Sequence, residues 1–290
     1  MNGLAKRIRR FRRRFTWGWF FTYAGMLVLV GFTALPLVYM VSTAFKPIDE
    51  IFLFPPRFFV RKPTLSNFGD LVAAVDSQVV PFLRYVINSL FTTIMTVVLT
   101  VTITSMGAYS VDKIKFLGRK AIFRIVILSL MFSPPAAQIP IYMAVSRLGM
   151  IDTYWALIVP NLATPMYFFL MKQFISQIPD SILESARIDG ATEFRTYLSV
   201  AMPMAKAAIS TVVVFSFTAN WNNAGGSIIY ITKQAMRTLP FAMSTISAGG
   251  LARAGAAAAA VFLTTLPTIV VYVFMQSRVI KTMAFSGIKG

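Results

Sequence analysis

The chain has 290 residues, 57% of them hydrophobic and 13% charged, with a net charge of +18 and a mean hydropathy of +0.68. Soluble domains carry roughly 25% charged residues, so lipid is the expected solvent for most of this chain. It contains no His and no Cys, which excludes disulfides, imidazole or thiolate metal sites and histidine acid–base chemistry. A charge of +18 could point to nucleic acid, but that needs a basic face on a folded surface. Here the positive residues sit in short loops and a tail, so no nucleic-acid partner is expected.

Residues 1–16 form a basic tail holding Lys6, Arg7, Arg9, Arg10, Arg12, Arg13 and Arg14, as expected of a cytoplasmic anchor. Residues 17–45 are uncharged, too long for a signal-peptide apolar region, and read as a retained spanning helix. Trp17 and Trp19 sit where an interfacial aromatic belt belongs, and Pro36 is placed to kink the helix. Residues 46–84 read as an extracytoplasmic segment. Pro55, Pro56 and Pro63 argue against regular structure there, and Phe52, Phe54, Phe58 and Phe59 suggest that it lies on the membrane surface.

A second span is expected over 85–111 and a basic inner loop over 112–124. A third, 125–146, contains Pro134, Pro135 and Pro140. Prolines at membrane depth survive where neighbours or water satisfy the freed carbonyls, so this broken helix should be packed inside protein or line a pathway. A tight turn at Gly149 leads into a fourth span, 153–171, with Asn161 between Pro160 and Pro165.

A polar island follows, Ser181-Ile182-Leu183-Glu184-Ser185-Ala186-Arg187-Ile188-Asp189-Gly190-Ala191. Ser181 and Glu184 have capping-box spacing, and Gly190 can take the left-handed position that ends a helix. The expected product is about two helical turns lying across the membrane, with a second polar turn, Thr192 to Arg195. The fifth span is expected over 207–232, with the cluster Asn220-Trp221-Asn222-Asn223. An outer loop follows over 233–253, then a sixth span, 254–277, and a tail, 278–290.

Six spans put both termini on one side. The N-terminal side carries nineteen Lys and Arg and the other side nine, which places the termini and the polar island in the cytoplasm. None of the spans as drawn contains Asp, Glu, Lys or Arg. A proton-coupled transporter normally needs an ionisable group at that depth. Nucleophilic catalysis within the membrane would lack an activating partner, and the chain has no Gly-x-x-x-x-Gly-Lys-Ser/Thr loop with which to hydrolyse ATP. It is therefore expected to be no enzyme, with no catalytic residue, metal or cofactor of its own. Asn220, Trp221, Asn222 and Asn223 could meet sugar hydroxyls and a pyranose face, or could join helices by hydrogen bonds. Tyr142 and Asn161 are lesser pathway candidates.

The run Glu184-Ser185-Ala186-Arg187-Ile188-Asp189-Gly190-Ala191, followed by Met202-Pro203-Met204, resembles the cytoplasmic signature loop of permease subunits of ATP-binding-cassette importers. Ser185 stands where Ala is usual. The Asp-Gly-Ala continuation is most similar to the carbohydrate-uptake, maltose-transporter-like branch, and Tyr85-Val86-Ile87-Asn88-Ser89-Leu90 also resembles the family.

The resemblance covers roughly residues 80–290 and implies an all-α, six-span type I importer permease fold with a coupling helix at about 180–195, in a bacterial inner membrane. It implies docking of Glu184, Ser185, Ala186, Arg187, Asp189 and Gly190 on an ATPase. Glu184 would pair with a basic group there, and Arg187 would face solvent or the ATPase. Thr238, Leu239, Pro240, Gly249 and Gly250 correspond to a loop that probes a sugar-binding protein. The tail Met283 to Gly290, with Lys289 and Gly290, corresponds to one that reaches the ATPase. The partners implied are a second, different permease, two ATP-binding subunits that hold ATP and Mg, an extracytoplasmic binding protein and a carbohydrate. A permease for a non-sugar solute, or an uncoupled channel or scaffold, remains the alternative.

Overall fold

The computed structural model describes residues 17–76, 80–162, 164–250 and 253–286, with the backbone alone from 277 onward. The basic tail and residues Lys289 and Gly290 lie outside the described residues. Every regular element described is helical.

Helix α1 (Trp17–Ala44) is apolar all round and lies at the edge, burying Ser42 and Ala44. A short turn, α2 (Ile48–Ile51), leads to α3 (Ser66–Asp76). This corrects the expectation of an irregular outer segment. Leu71 and Val75, one turn apart, are fully buried, and that spacing creates an apolar face which outweighs the nearby prolines.

Helix α4 (Phe82–Lys113) is the central post. One face carries Asn88, Thr92, Thr96, Thr100 and Thr104, every fourth residue and all buried. The hydroxyls turn back on their own helix: Thr92 donates to Asn88 O (2.8 Å), Thr96 to Thr92 O (2.8 Å) and Thr104 to Thr100 O (2.6 Å). A side chain four residues on lies above that carbonyl.

The expected third span is two helices, α5 (Arg119–Ser129) and α6 (Pro134–Arg147), with a change of direction of 115° across residues 130–133, just before Pro134-Pro135. Of their side chains only Val145 is buried, so these helices pack lightly within the chain, and the residues at the break line a cleft. The fourth span is α7 (Tyr154–Leu162) and α8 (Pro165–Ile175).

After the polar island comes a helical stretch from Glu193 to Met204. It is α-helical at α10 (Glu193–Thr196) and opened to a π turn at Tyr197–Ala201. Pro203 has no N–H for the carbonyl four residues back and its ring crowds that carbonyl. The chain then turns by 78° into α11 (Lys206–Trp221). The expected fifth span therefore ends at Trp221 and does not run to 232. Asn223 caps a new helix, α12 (Ala224–Tyr230), its side chain accepting from Gly226 N at 3.0 Å.

The expected outer loop contains α13 (Leu239–Ser247). Leu239, Ala242, Met243 and Ile246 are all buried, a helical stripe that Pro240 opens from the first turn. The closing helix, α14 (Ala254–Ser286), packs on α11, α3, α13 and α1. Among the described residues three helices are long and apolar enough to cross a membrane, and counting each bent pair as one broken span gives up to six.

Two cores result. One joins Leu71, Val75, Trp221, Leu239, Met243, Ile246 and the small residues Ala256, Ala259 and Ala260 of α14. The other joins Tyr109, Tyr167, Met171, Ile175, Leu183, Tyr197 and Val212 around the polar island.

Candidate functional site

The polar island folds as α9 (Asp180–Ile188). It begins one residue earlier than expected, with Pro179 as N-cap and no side-chain cap, so the Ser181–Glu184 capping box is not formed. Ser181 already lies inside the helix and accepts from Ser185 Oγ at 2.9 Å.

The C-terminal end is as the glycine requires. Gly190 has φ +82°, Gly190 N donates to Arg187 O and Ala191 N donates to Ala186 O, both at 3.0 Å. Those two bonds are a Schellman motif. They turn the chain into Thr192, whose hydroxyl accepts from Arg195 N at 3.3 Å and caps α10.

One apolar side chain, Leu183, plugs α9 into the inner core at 1% exposure. Ionic ties flank it. At one end, Lys113 Nζ donates to Asp180 Oδ1 (2.8 Å) and Ile178 O (2.7 Å). That contact holds the Asp180 carboxyl below its ordinary value, through the hydrogen bond first and the charge of Lys113 second. At the other end, Arg187 Nε donates to Glu193 Oε1 (2.7 Å) and its Nη2 to Oε2 (3.3 Å), and Tyr109 Oη donates to Oε2 (3.1 Å). Arg187 is therefore committed within the chain, a correction to a residue facing only solvent or a partner. Asp112 pairs with Lys172 at 3.1 Å, which ties α4 to α8.

What remains outward on α9 is mixed, with the apolar Ile182 and Ile188 exposed beside polar residues. Ser181, Glu184, Ser185 and Asp189 are exposed and Ala186 is half-buried, and Glu184 and Asp189 have no ion pair among the described residues.

At the opposite end of the bundle, the Pro134-Pro135 break, Gln138, Pro160, Asn161, Asn223, Gly226 and Tyr230 line a cleft of about 380 Å³. A smaller polar pocket behind it joins Thr92, Thr96, Asn161, Asn220, Asn223 and Thr238. The amides are pinned to backbone: Asn161 Nδ2 donates to Leu157 O (2.7 Å), Asn220 Nδ2 to Ser216 O (2.8 Å) and Asn222 Nδ2 to Thr218 O (2.9 Å).

Of the sequence candidates, Asn161, Asn220 and Asn223 are brought together, while Asn222 points away toward Thr268. Tyr142 is stacked on Tyr230 at 6.2 Å. Trp221 is withdrawn from any pathway. It is 2% exposed, stacked on Phe217 at 5.7 Å, and its indole N–H donates to Thr264 O at 2.8 Å. A sugar cannot reach its ring.

The expected probing loop is also corrected. Thr238, Leu239 and Pro240 are buried, and only Gly249 and Gly250 at the far end of α13 are exposed. Sequence reasoning missed Thr92, Thr96, Gln138 and Gly226 as lining residues; Gln138, between two prolines in an apolar run, was the visible signal. Among the described residues no three acidic side chains converge as a metal site would require.

A bundle of whole and broken apolar helices, with a largely apolar cleft that holds Gln138, Asn161 and Asn223 at one end and a tethered helix at the other, is the architecture of a multi-pass membrane protein. Residues 104–283 match the family described as "Binding-protein-dependent transport system inner membrane component". A putative ABC transporter permease from Caldicellulosiruptor sp. is 28% identical, with 94% of this chain and 97% of that protein covered. The arabinooligosaccharides transport system permease protein AraQ of Bacillus subtilis is 27% identical over 88% of this chain and 90% of its own. The fold is shared with a chain of a bacterial ABC transporter that imports the acidic polysaccharide alginate. That match has a TM-score of 0.77 at 20% identity and covers 91% of this chain and 98% of the other. The chain belongs to the family of binding-protein-dependent transport system inner membrane components, and it is a permease subunit.

Proposed function

We propose that this chain forms half of the translocation pathway of a carbohydrate importer in a bacterial inner membrane, with both termini cytoplasmic. Its α9 docks on a cytoplasmic ATPase subunit. The observation that carries this reading is the state of α9. It exposes Glu184, Ser185 and Asp189, is anchored by Leu183, and is tied to α4 at both ends, by the Asp180–Lys113 ion pair and by Arg187 through Glu193, which accepts from Tyr109. A push on such an element is delivered to α4 and is not absorbed by a flexible loop.

ATP and Mg are bound and turned over by two partner subunits. A second, different permease completes the pathway, and a binding protein delivers solute from outside. The carbohydrate assignment is supported by the relatives' arabinooligosaccharide and alginate systems. It is also supported by the cleft, whose amides and hydroxyls can exchange hydrogen bonds with sugar hydroxyls.

Glu184→Lys tests the docking. Uptake by the assembled transporter should be abolished while membrane insertion is unchanged, and normal uptake would overturn the role. A screen of labelled oligosaccharides against the partner binding protein tests the substrate class; binding of amino acids or polyamines and no oligosaccharide would overturn it.

A further inference from the structure

The segment between α1 and α3 is held with unusual effort. Lys46 is 2% exposed, and its ammonium donates to Arg57 O at 2.5 Å and lies 4.8 Å from the centre of the Tyr39 ring. Glu50 is 6% exposed and accepts from Arg61 N with both oxygens, at 3.1 and 3.2 Å. Ser42 Oγ donates to Phe58 O at 2.9 Å, and Thr64 N to Phe45 O at 2.9 Å. Burying a cation and a carboxylate is costly, and both serve here to fix a loop's backbone, Lys46 also resting on the Tyr39 ring.

What the loop then shows outward is apolar and basic. Phe54 is 94% and Phe59 67% exposed. Arg57, Arg61 and Lys62 are exposed, against one exposed acid in the segment, Asp49.

The fixings also set its depth. Phe58 is folded back beside Tyr39, their rings 5.6 Å apart. Tyr39 lies 22 residues along α1 from Trp17, about 33 Å at ~1.5 Å per residue. With Trp17 and Trp19 at one interface, that is just past a hydrocarbon core of roughly 30 Å. Phe58 and its neighbours therefore sit at the opposite interface, continuous with the lipid-facing surface of α1.

We propose that residues 52–62 are an interfacial anchor. Phe54 and Phe59 enter the leaflet opposite the N-terminal end, and Arg57, Arg61 and Lys62 meet anionic lipid headgroups. The assignment needs only that α1 spans the bilayer, and it stands apart from the identity of the solute.

The chain has no cysteine, so Phe54→Cys and, as control, Gln234→Cys on an exposed outer turn each give one site in this chain for a nitroxide label. The transporter is assembled with cysteine-free partner subunits in vesicles of phosphatidylethanolamine and phosphatidylglycerol. The label at 54 should collide several-fold more with oxygen, relative to a water-soluble nickel chelate, than the label at 234. Equal ratios at the two sites would overturn the anchor. So would shielding from both reagents, or protection that appears only when binding protein is added, each of which assigns the surface to a protein partner.

Discussion

Arg187 and Glu193 close a bidentate ion pair, 2.7 and 3.3 Å, across the glycine turn that separates α9 from α10. The pair bridges the glycine turn where α9 could bend away from α10. Tyr109 joins it from α4, and Tyr197, whose ring lies 5.5 Å from that of Tyr109, exchanges a 2.8 Å hydrogen bond with Ser105. The pair is partly exposed, so its worth to overall stability is small, about 0.2–1 kcal/mol; its consequence lies in stiffness.

Arg187→Gln or Glu193→Gln should therefore leave the fold and ATP hydrolysis by the assembled transporter in place, while solute moved per ATP falls several-fold. The reversed pair, Arg187→Glu with Glu193→Arg, should recover much of the loss. Measuring uptake and hydrolysis together in proteoliposomes checks this, and an unchanged ratio in the single variants would count against a mechanical role.

Gly190 has open space where a Cβ would be, but its φ of +82° is the left-handed region. Substitution there is limited by backbone strain of about 1–2 kcal/mol for an ordinary L-residue. Asn should be tolerated best, Ala less and Val least, with uptake falling in that order. An order set by side-chain volume alone, with Ala best, would contradict the strain argument.

Asp152 is left-handed without being a glycine, φ +59°, and its carboxylate accepts from the Thr232 hydroxyl and from Thr232 N and Lys233 N. Those bonds, the hydroxyl's first, hold its pKa below the ordinary value. A lowered folded-state pKa means that the stabilisation is complete above the unfolded value and is lost as pH falls through the folded one. Asp152→Asn keeps the backbone preference and loses the charge, so its melting temperature should lie below the parent's by a constant amount at neutral pH. The gap should close below about pH 4, the ordinary aspartate range. Asp152→Ala should be the worse variant at every pH.

Trp221→Phe removes the indole N–H from Thr264 O and leaves the ring stack. A loss of about 1 kcal/mol is expected for one inter-helix hydrogen bond in a membrane protein, read as lower thermal stability with an unchanged apparent affinity for solute. Asn223→Ala, on the cleft wall, should change uptake affinity. The opposite pattern would return Trp221 to the pathway.

The apolar spans, the broken third helix and the helix-ending role of Gly190 were legible because each is set by local chemistry: long uncharged runs, Pro134-Pro135, and a residue without a Cβ. The rest depends on which faces meet. Nothing in the run from Lys206 to Trp221 says which side of α11 faces α14, so a tryptophan among asparagines read as a ligand when it is a packing residue. Helices α3 and α13 lie in segments where Pro63 and Pro240 mask the apolar spacings of Leu71 with Val75 and Leu239 with Met243. Arg187 could be matched to Glu193 only once the Schellman turn had brought positions six apart side by side.

The hydroxyl row on α4 has one more implication. Because Thr92, Thr96 and Thr104 give their hydrogens to their own helix, this seam looks polar yet holds none of its neighbours through those protons. A surface of short, self-contained side chains resists sliding only by contact, with few directed bonds to rupture and remake at each step. The post at the centre of the bundle is in this sense a bearing, and the ties that would lock it are confined to its two ends.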